Sequence, residues 1–306
     1  MANIRSLSAK FSSDEDCLKY IQEMRWPDGI VRCPECGCKD VKRVERSFSK
    51  KGKNRRGWFF LCGEKSCRIQ FSPTSGTLFH DTHLPLIVWF QAIVLILNAK
   101  KGISAMQLQR DLGIGGYKTA WYLNHRIRES MREGSLPLLG GVVEIDETYI
   151  GGKQRGHEGK KRNKNVVFGL RERGGPLRFL HTKDATAKTW RHILAANLHE
   201  GIGLVMTDES TAARSVLNGN PKHRMVRHSS GEYVVGENYT NSIESAFSLL
   251  KRGIIGSFHR MSIKHLQRYL NEFSYRFNRR KSADAFTETV GRMCGFPPLT
   301  FSMLTE

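Results

Sequence analysis

The fold is decided by residues 142–149, which read VVEIDETY. β-branched residues are frequent in this stretch, so it predicts a strand. Residues 165–170 and 177–181 are also strand-like, and they flank the turn sequence Arg173-Gly174-Gly175-Pro176, so they predict a hairpin. The segments that follow are a helix over residues 187–199, a short apolar strand over 204–208 and a helix that begins at Asn241.

This order of elements is the layout of an RNase H-like mixed sheet. In that layout the first strand and the strand after the first helix are parallel neighbours, so Asp146 and Asp208 would end side by side. Glu244 lies one residue beyond the apolar position Ile243. It therefore projects roughly 100° from the buried stripe of its helix, toward the sheet edge. The sequence thus predicts three converging carboxylates, those of Asp146, Asp208 and Glu244.

Three converging carboxylates favour a divalent metal site. They would repel one another unless a cation lies between them, and hard oxygen ligands suit Mg²⁺. Two such ions, about 4 Å apart, stabilise the attacking and leaving oxygens of a phosphoryl displacement. Other interpretations remain open, in which Asp146 and Glu147 form salt bridges at a strand rim, Asp208 caps a helix, or Glu244 closes a capping box with Asn241. Glu147 should point away from Asp146 on a strand, so we expect it to support the ligands indirectly at most.

The cysteine spacing predicts a second metal site. Seven cysteines are present, and four of them form the pairs Cys33/Cys36 and Cys62/Cys67. Two short-spaced pairs suit one tetrahedral Zn²⁺, and four thiolates leave no open position, so we expect one structural zinc ion. Residues 41–44 and 58–61 read as strands of a small ribbon with a basic tip at residues 50–56. The alternatives are Cys38 in place of Cys36, or His80 or His83 as a ligand.

A helix-turn-helix is predicted between these two regions. An apolar helix follows Pro85, Ser104 is placed to cap a short second helix, and glycines at residues 113–116 form a turn. A longer helix over residues 117–131 comes next. We expect its exposed side to carry Lys118, Asn124, His125, Arg126 and Arg128, which suits a recognition helix in the DNA major groove. The alternative is an ordinary helical hairpin with a solvated basic face.

The charge balance points to a polyanionic partner. The chain of 306 residues has a formal net charge of +20, from 49 Lys+Arg against 29 Asp+Glu. Such a surplus most often serves nucleic acid binding, and the basic residues 153–164 read as a loop that binds a nucleic-acid backbone. No signal peptide is evident, and the apolar run over residues 84–97 is shorter than the roughly 20 residues of a spanning helix. We therefore expect a cytoplasmic, nucleoid-associated protein without membrane contacts.

Eight short motifs together resemble one known family. The sequence is similar to the bacterial insertion-sequence DDE transposases of the family numbered fifteen ninety-five, over nearly the whole chain. The matching stretches are CPEC at residues 33–36, QFSPTSGT at 70–77, YKTAW at 117–121, EIDETYIGG at 144–152, NSIES at 241–245, LLKRG at 249–253, HLQRY at 265–269 and RFNRR at 276–280. The sequence departs from the family in the longer gap between Cys62 and Cys67, which bears on the zinc site alone.

This resemblance implies a function. The ribbon and the helix-turn-helix would bind the terminal inverted repeats of the element. The RNase H-like domain would hydrolyse a phosphodiester at each end and transfer the freed 3′-OH to target DNA. The acidic triad would fall on Asp146, Asp208 and Glu244, which would hold two Mg²⁺ or Mn²⁺ ions. The phosphate contacts would come from Lys251, Arg252, Arg276 and Arg279.

The fold class expected is therefore an α+β multidomain chain. Its segments would be a zinc ribbon with an N-terminal helix (residues 1–78), a helix-turn-helix domain (79–136), an RNase H-like mixed α/β catalytic domain (140–283) and a C-terminal tail (284–306). The partner would be double-stranded DNA, bound by a homodimer or a larger assembly, because two ends must meet. Two rival functions remain open, a non-enzymatic DNA-binding regulator and an RNase H-like nuclease that cuts without joining.

Overall fold

The chain folds into two compact units. The structure is a computed structural model that describes residues 3–45, 58–134, 136–151, 165–226, 241–259 and 261–306. The first unit contains residues 1–131 and 281–306, and the second contains residues 132–280. None of the described helices combines the length and the apolar character that crossing a bilayer requires.

The first unit begins with two helices and a three-stranded ribbon. The helices are α1 (Ile4–Lys10) and α2 (Asp14–Arg25), and the strands are β1 (Val41–Glu45), β2 (Trp58–Cys62) and β3 (Gln70–Phe71). All three strands are antiparallel, and Val41 lies opposite Cys62. The two predicted ribbon strands are confirmed. The predicted basic tip at residues 50–56 lies outside the described residues.

Three helices follow the ribbon in the first unit. They are α3 (Leu86–Asn98), α4 (Ala105–Asp111) and α5 (Tyr117–Ser130). The predicted cap is confirmed, since the side chain of Ser104 accepts a hydrogen bond from the backbone N–H of Gln107 at 3.1 Å. The pair α4 and α5, joined through the glycine turn, is the predicted helix-turn-helix arrangement.

The second unit is built on a five-stranded mixed sheet. Its strands are β4 (Val142–Ile150), β5 (Asn165–Glu172), β6 (Leu177–Thr182), β7 (Leu204–Thr207) and β8 (His223–Met225), in the spatial order β6-β5-β4-β7-β8. Strands β5 and β6 form the predicted antiparallel hairpin, and β7 runs parallel to β4 as predicted. This is the RNase H-like order of strands. The basic residues 153–164 lie outside the described residues.

Helices cover both faces of this sheet. They are α6 (Ala187–Asn197), α7 (Thr211–Leu217), α8 (Asn241–Gly253) and α9 (Leu266–Asn278). On one face Ile145 and Phe168 pack against Trp190 of α6. On the other face Val167 packs with residues of α8 and α9, among them Phe247. Because the sheet is covered on both faces, six successive residues of β5 are buried, whichever face they point to.

The last segment of the chain returns to the first unit. It forms α10 (Ala285–Gly295) and α11 (Phe301–Thr305). The ring of Phe286 packs 5.3 Å from that of Phe90 on α3, and the hydroxyl of Tyr20 donates to Thr287 Oγ1 at 3.0 Å. Residues 284–306, for which the sequence offered no partner, thus contribute to the core of the first unit.

Candidate active site and metal centres

Two aspartates meet where the parallel pairing of β4 and β7 ends. Asp146 lies on β4, and Asp208 directly follows β7. Because Ile145 lies opposite Thr207 in the parallel register, the next residue of each chain segment is an aspartate. The predicted pairing of these two strands is confirmed, and it brings the two carboxylates together. Both side chains are half-buried.

A third carboxylate, that of Glu147, lies close to these two. One oxygen from each of Asp146, Glu147 and Asp208 lies within 4.8 Å of the others, and we call these three residues the acidic cluster. The sequence predicted at most an indirect role for Glu147, whereas one of its carboxylate oxygens lies among the three that converge. Strand β7 ends at Thr207, and the chain turns directly after it. In this turn, the hydroxyl of Ser210 donates to Glu147 Oε1 at 3.2 Å. Glu147 therefore reaches Asp208 from the opposite face of the sheet.

Two carboxyl groups of the acidic cluster have raised pKa values. Burial, followed by the charge of Asp208, raises the pKa of Asp146 to about 7, and the charge of Glu244 contributes to this shift. Burial and Asp208 likewise raise the pKa of Glu147 to about 7. The same two causes, close negative charge and poor solvation, are the ones that a bound cation removes.

Glu244 approaches the acidic cluster from helix α8. It lies in the first turn of α8 and is exposed, and its charge acts on Asp146. It is not among the three residues whose oxygens lie within 4.8 Å of one another. Helix α8 is described from Asn241 onward. In its first turn, the N–H groups of Ser242 and Ile243 donate to Glu144.

The local bonds of Asp208 combine two roles. Ser210, not Asp208, is the residue that caps α7, through a bond from the N–H of Ala213. Asp208 Oδ1 accepts from the N–H of Ser210 at 3.0 Å, which fixes the turn and leaves the carboxylate beside Asp146. Asp208 therefore does not cap α7. Its carboxylate fixes the turn before this helix and also lies beside Asp146.

The donor set fits a hard divalent cation. Three carboxylate oxygens converge, and carboxylates are the side chains that Mg²⁺ and Mn²⁺ prefer. Glu147 Oε2 is buried and has no hydrogen-bond partner among the described residues. A buried, unpartnered carboxylate oxygen is costly unless a cation or water satisfies it.

The four predicted cysteines also converge. The Sγ atoms of Cys33 and Cys67 lie 3.7 Å apart, those of Cys36 and Cys62 lie 3.5 Å apart, and all four lie within 4.8 Å of one another. Tetrahedral coordination with Zn–S bonds of about 2.3 Å requires sulfur separations of about 3.8 Å. Cys38 is not part of this group, because its Sγ faces the carbonyl of Asp40. The group therefore fits Zn²⁺, and the wider Cys62–Cys67 spacing does not prevent closure.

Of the side chains predicted to be exposed on helix α5, all except Lys118 are buried. Asn124, His125, Arg126 and Arg128 are all buried, because α5 packs against α3, α4 and α10. The guanidinium of Arg126, for example, lies 4.8 Å from the ring of Trp89. The exposed part of α5 is its first turn, formed by Tyr117, Lys118 and Thr119.

The cations expected at the phosphates divide into two groups. Lys251 and Arg252, in the last turn of α8, are exposed. Arg276 is buried and forms an ion pair with Glu272 at 3.1 Å, so it is not a surface cation. Arg279 is mostly buried, donates to Glu133 at 2.7 Å and covers the ring of Tyr275. Arg276 and Arg279 are thus both paired with carboxylates of the second unit.

Comparison with known proteins gives two family matches. A model described as an ISXO2-like transposase domain matches residues 138–278, and a model described as a transposase zinc-ribbon domain matches residues 12–70. The chain is 29% identical over 285 residues to an uncharacterized protein in transposable element ISH50 of Halobacterium salinarum, covering 87% of this chain and 91% of that protein. A crystal structure of the Mos1 strand transfer complex matches at 11% identity, over 67% of this chain and 75% of that chain. Its TM-score of 0.28 is too low to support a conclusion.

The two family matches fall on the two candidate metal sites. Residues 12–70, which are similar to a transposase zinc ribbon, carry the four-cysteine group, and residues 138–278, which are similar to an ISXO2-like transposase domain, carry the acidic cluster. The resemblance found in the sequence motifs is thereby confirmed.

Proposed function

We propose that this chain is the transposase of an insertion sequence. It binds the terminal inverted repeats of the element, hydrolyses a phosphodiester at each end, and joins the freed 3′-OH strands to target DNA. The observation that carries the proposal is the convergence of Asp146 and Asp208 where the parallel pairing of β4 and β7 ends, with Glu244 approaching from α8. The match of residues 138–278 to the ISXO2-like transposase domain supports the same reaction class.

The roles of the acidic residues follow from their positions. Asp146 and Asp208 would be ligands of one divalent ion, and Glu244 would be a ligand of a second. Glu147, with its unpartnered Oε2, is a further oxygen donor on the opposite side. Divalent ions bound here, Mg²⁺ or Mn²⁺, neutralise negative charge on the reacting phosphate and its oxygens. No nucleotide is required, since joining strands exchanges one phosphodiester for another.

The first turn of α5 is proposed as the surface that reads DNA. Recognition helices contact base edges mainly through their N-terminal residues. Tyr117 is 49% exposed, and Lys118 and Thr119 are exposed beside it, at the N-terminal end of the helix. These three residues replace the buried Asn124 and Arg128 as candidates for base and phosphate contacts.

Phosphates near the acidic residues are proposed to meet Lys251 and Arg252. Both side chains are exposed in the last turn of α8, the helix that carries Glu244 in its first turn. Cations at a helix C-terminus are also favoured by the helix dipole. The four-cysteine group is proposed to hold one structural Zn²⁺ that maintains the ribbon.

Joining both ends of an element requires at least two chains on paired ends. We therefore propose a homodimer or larger assembly on DNA. Light scattering on the protein bound to end DNA should give two or more chains for each pair of ends, and one chain for each pair would contradict this assembly.

The experiment that tests the proposed function uses DNA that carries the gene with its native flanks. Wild-type protein with Mg²⁺ should cut at the flanking repeats, and Asp208→Asn should abolish the cuts while DNA binding is kept. Binding without cutting by the wild type would favour the non-enzymatic regulator. Cutting without joined products would favour a nuclease.

A further inference from the structure

The first turn of helix α8 is held by a carboxylate from another element. The first N–H groups of a helix have no partner within the helix. Here the N–H groups of Ser242 and Ile243 donate to Glu144 Oε2 at 3.1 and 3.0 Å, and the hydroxyl of Ser242 donates to the same oxygen at 2.6 Å. Glu144 therefore caps α8 from strand β4.

The other oxygen of Glu144 is also bonded. Oε1 accepts from Arg173 Nε at 2.9 Å, in the turn after β5. The Glu144 side chain is fully buried, on the face of β4 opposite to that of Val143 and Ile145. A buried charge is costly unless its hydrogen bonds are satisfied, and all the bonds made here tie β4 to α8 and to the β5–β6 turn.

These bonds connect the two parts of the proposed active site. Glu144 precedes Asp146 by two residues on β4, so the two side chains share one face of the strand. Ser242 precedes Glu244 by two residues on α8. Strand β4 therefore carries the proposed metal ligand Asp146. It also carries Glu144, which holds the start of α8, the helix of the proposed ligand Glu244.

We propose that Glu144 is a positioning residue that sets the place of Glu244 relative to Asp146. It meets no substrate, and it acts through the first turn of α8. The inference rests on the proposed function only for the role given to Glu244. Displacement of a catalytic group by about 1 Å can cost on the order of 100-fold in rate, so a loosened helix start should be visible in the kinetics.

The direct test is hydrogen exchange of the full-length protein. Glu144→Gln replaces the carboxylate with a neutral amide, so the negative charge that attracts the N–H groups of the helix is lost. The peptide covering residues 241–247 should exchange several-fold faster, while peptides from β4 and β5 stay unchanged. Equal exchange in both proteins would overturn the proposal, and faster exchange throughout the second unit would assign Glu144 to general stability instead.

A milder pair of variants keeps the test valid if Glu144→Gln does not fold. Ser242→Ala removes only the hydroxyl that donates to Glu144. Ser248→Ala makes the same change at an exposed position of α8 and serves as its matched control. Exchange at the start of α8 should rise in Ser242→Ala and not in Ser248→Ala. The same exchange in both variants would contradict the proposal.

Kinetics separate positioning from mere structural support. Glu144→Gln should slow end cleavage by roughly 10- to 100-fold and raise the Mg²⁺ concentration needed for half-maximal rate. In a Glu244→Asp background, where that ligand is already displaced, the further loss from Glu144→Gln should fall to about twofold or less, because the two residues act as one unit. Fully additive losses would overturn the proposal. If Glu244→Asp cleaves like the wild type, the triad fails, while the exchange experiment still decides the role of Glu144.

Discussion

Asp146 lies directly opposite Gly169 on the antiparallel pair β4 and β5. Helix α8 packs on the sheet at this point, where a Cβ on Gly169 would lie 2.6 Å from Ile243 Cδ1 and 2.8 Å from Phe247 Cζ. The missing side chain of Gly169 thus allows α8 to approach the strand that carries Asp146. The glycine is required by close packing, which is a common reason for glycine within a strand.

Gly169→Ala should therefore push α8 away from the sheet. Overpacking of this kind costs about 1–3 kcal/mol of unfolding free energy, and end cleavage should slow in parallel. Thermal denaturation and a cleavage assay measure the two effects. Adding Ile243→Val, which removes the nearest atom, should recover part of both losses. Gly256→Ala is the control, since a Cβ there meets no atom within 4 Å, and the same loss in that variant would contradict the explanation.

The acidic cluster predicts a characteristic pH dependence. The pKa values of Asp146 and Glu147, raised to about 7 from ordinary values of 3.8 and 4.5, mean that the folded chain keeps protons that the unfolded chain has released. The unfolding free energy of the metal-free protein should therefore fall as pH rises from about 4 to 7. Asp146→Asn should flatten this fall, and an unchanged pH profile in the variant would contradict the assignment.

Divalent metal should reverse this loss of stability. Metal binding requires deprotonated carboxylates, so Mg²⁺ should raise the melting temperature more at pH 8 than at pH 5. At about 100 times its Kd, the ion should add about 2.7 kcal/mol of unfolding free energy. Denaturation with Mg²⁺ or with a chelator at both pH values measures the effect. An equal rise at pH 5 and pH 8 would count against metal binding at the acidic cluster.

The four-cysteine group should hold one zinc ion for each chain. Cys62→Ser should lose the ion and unfold the ribbon, because three remaining thiolates leave the site open. Cys38→Ser is the matched control, because Cys38 lies outside the group, and its zinc content should equal that of the wild type. Metal analysis of the purified proteins decides the matter. A loss of zinc in Cys38→Ser, or no zinc in the wild type, would contradict the site.

The first turn of α5 should contribute to DNA binding through Lys118. Lys118→Ala should weaken binding to the element ends by about 1 kcal/mol and lower the slope of log K against log salt by about 0.9, as expected for one phosphate contact. Lys19→Ala provides a control, since Lys19 pairs with Glu15 on α2. Titrations at several salt concentrations measure both slopes. If Lys118→Ala and Lys19→Ala lower the slope of log K against log salt equally, the contact is not specific to α5.

Local patterns predicted strands β4 to β7 and the placement of two acids, whereas β8 was not predicted. β-branched residues marked β4, a short apolar run marked β7, and the parallel pairing of these strands then placed Asp146 beside Asp208. The cysteine pairs were equally readable, because each pair is formed by a single turn. These features depend on neighbours that are close in the chain or on one expected strand pairing.

Features that depend on distant neighbours were not predictable in the same way. Glu144 is bonded to Ser242, 98 positions away, and nothing in the local pattern distinguishes it from an exposed strand residue. Periodicity defined α5 but not which of its sides would be covered, and Arg126 is buried because its stem and guanidinium pack on aromatic rings. The position of Glu147 depends on where β7 ends, which sequence patterns define poorly.

The central claim, joining of DNA strands by the residues on β4, β7 and α8, is tested most directly with pre-cut ends. End DNA with a free 3′-OH, incubated with a supercoiled plasmid, Mg²⁺ and wild-type protein, should give plasmid joined to the 3′ ends, as read by sequencing the junctions. Asp208→Asn should bind the ends and give no joined product, while Glu200→Gln, which makes the same change of charge at an exposed position of the second unit, should join normally. Joined product from Asp208→Asn, or its absence with the wild type, would contradict the account.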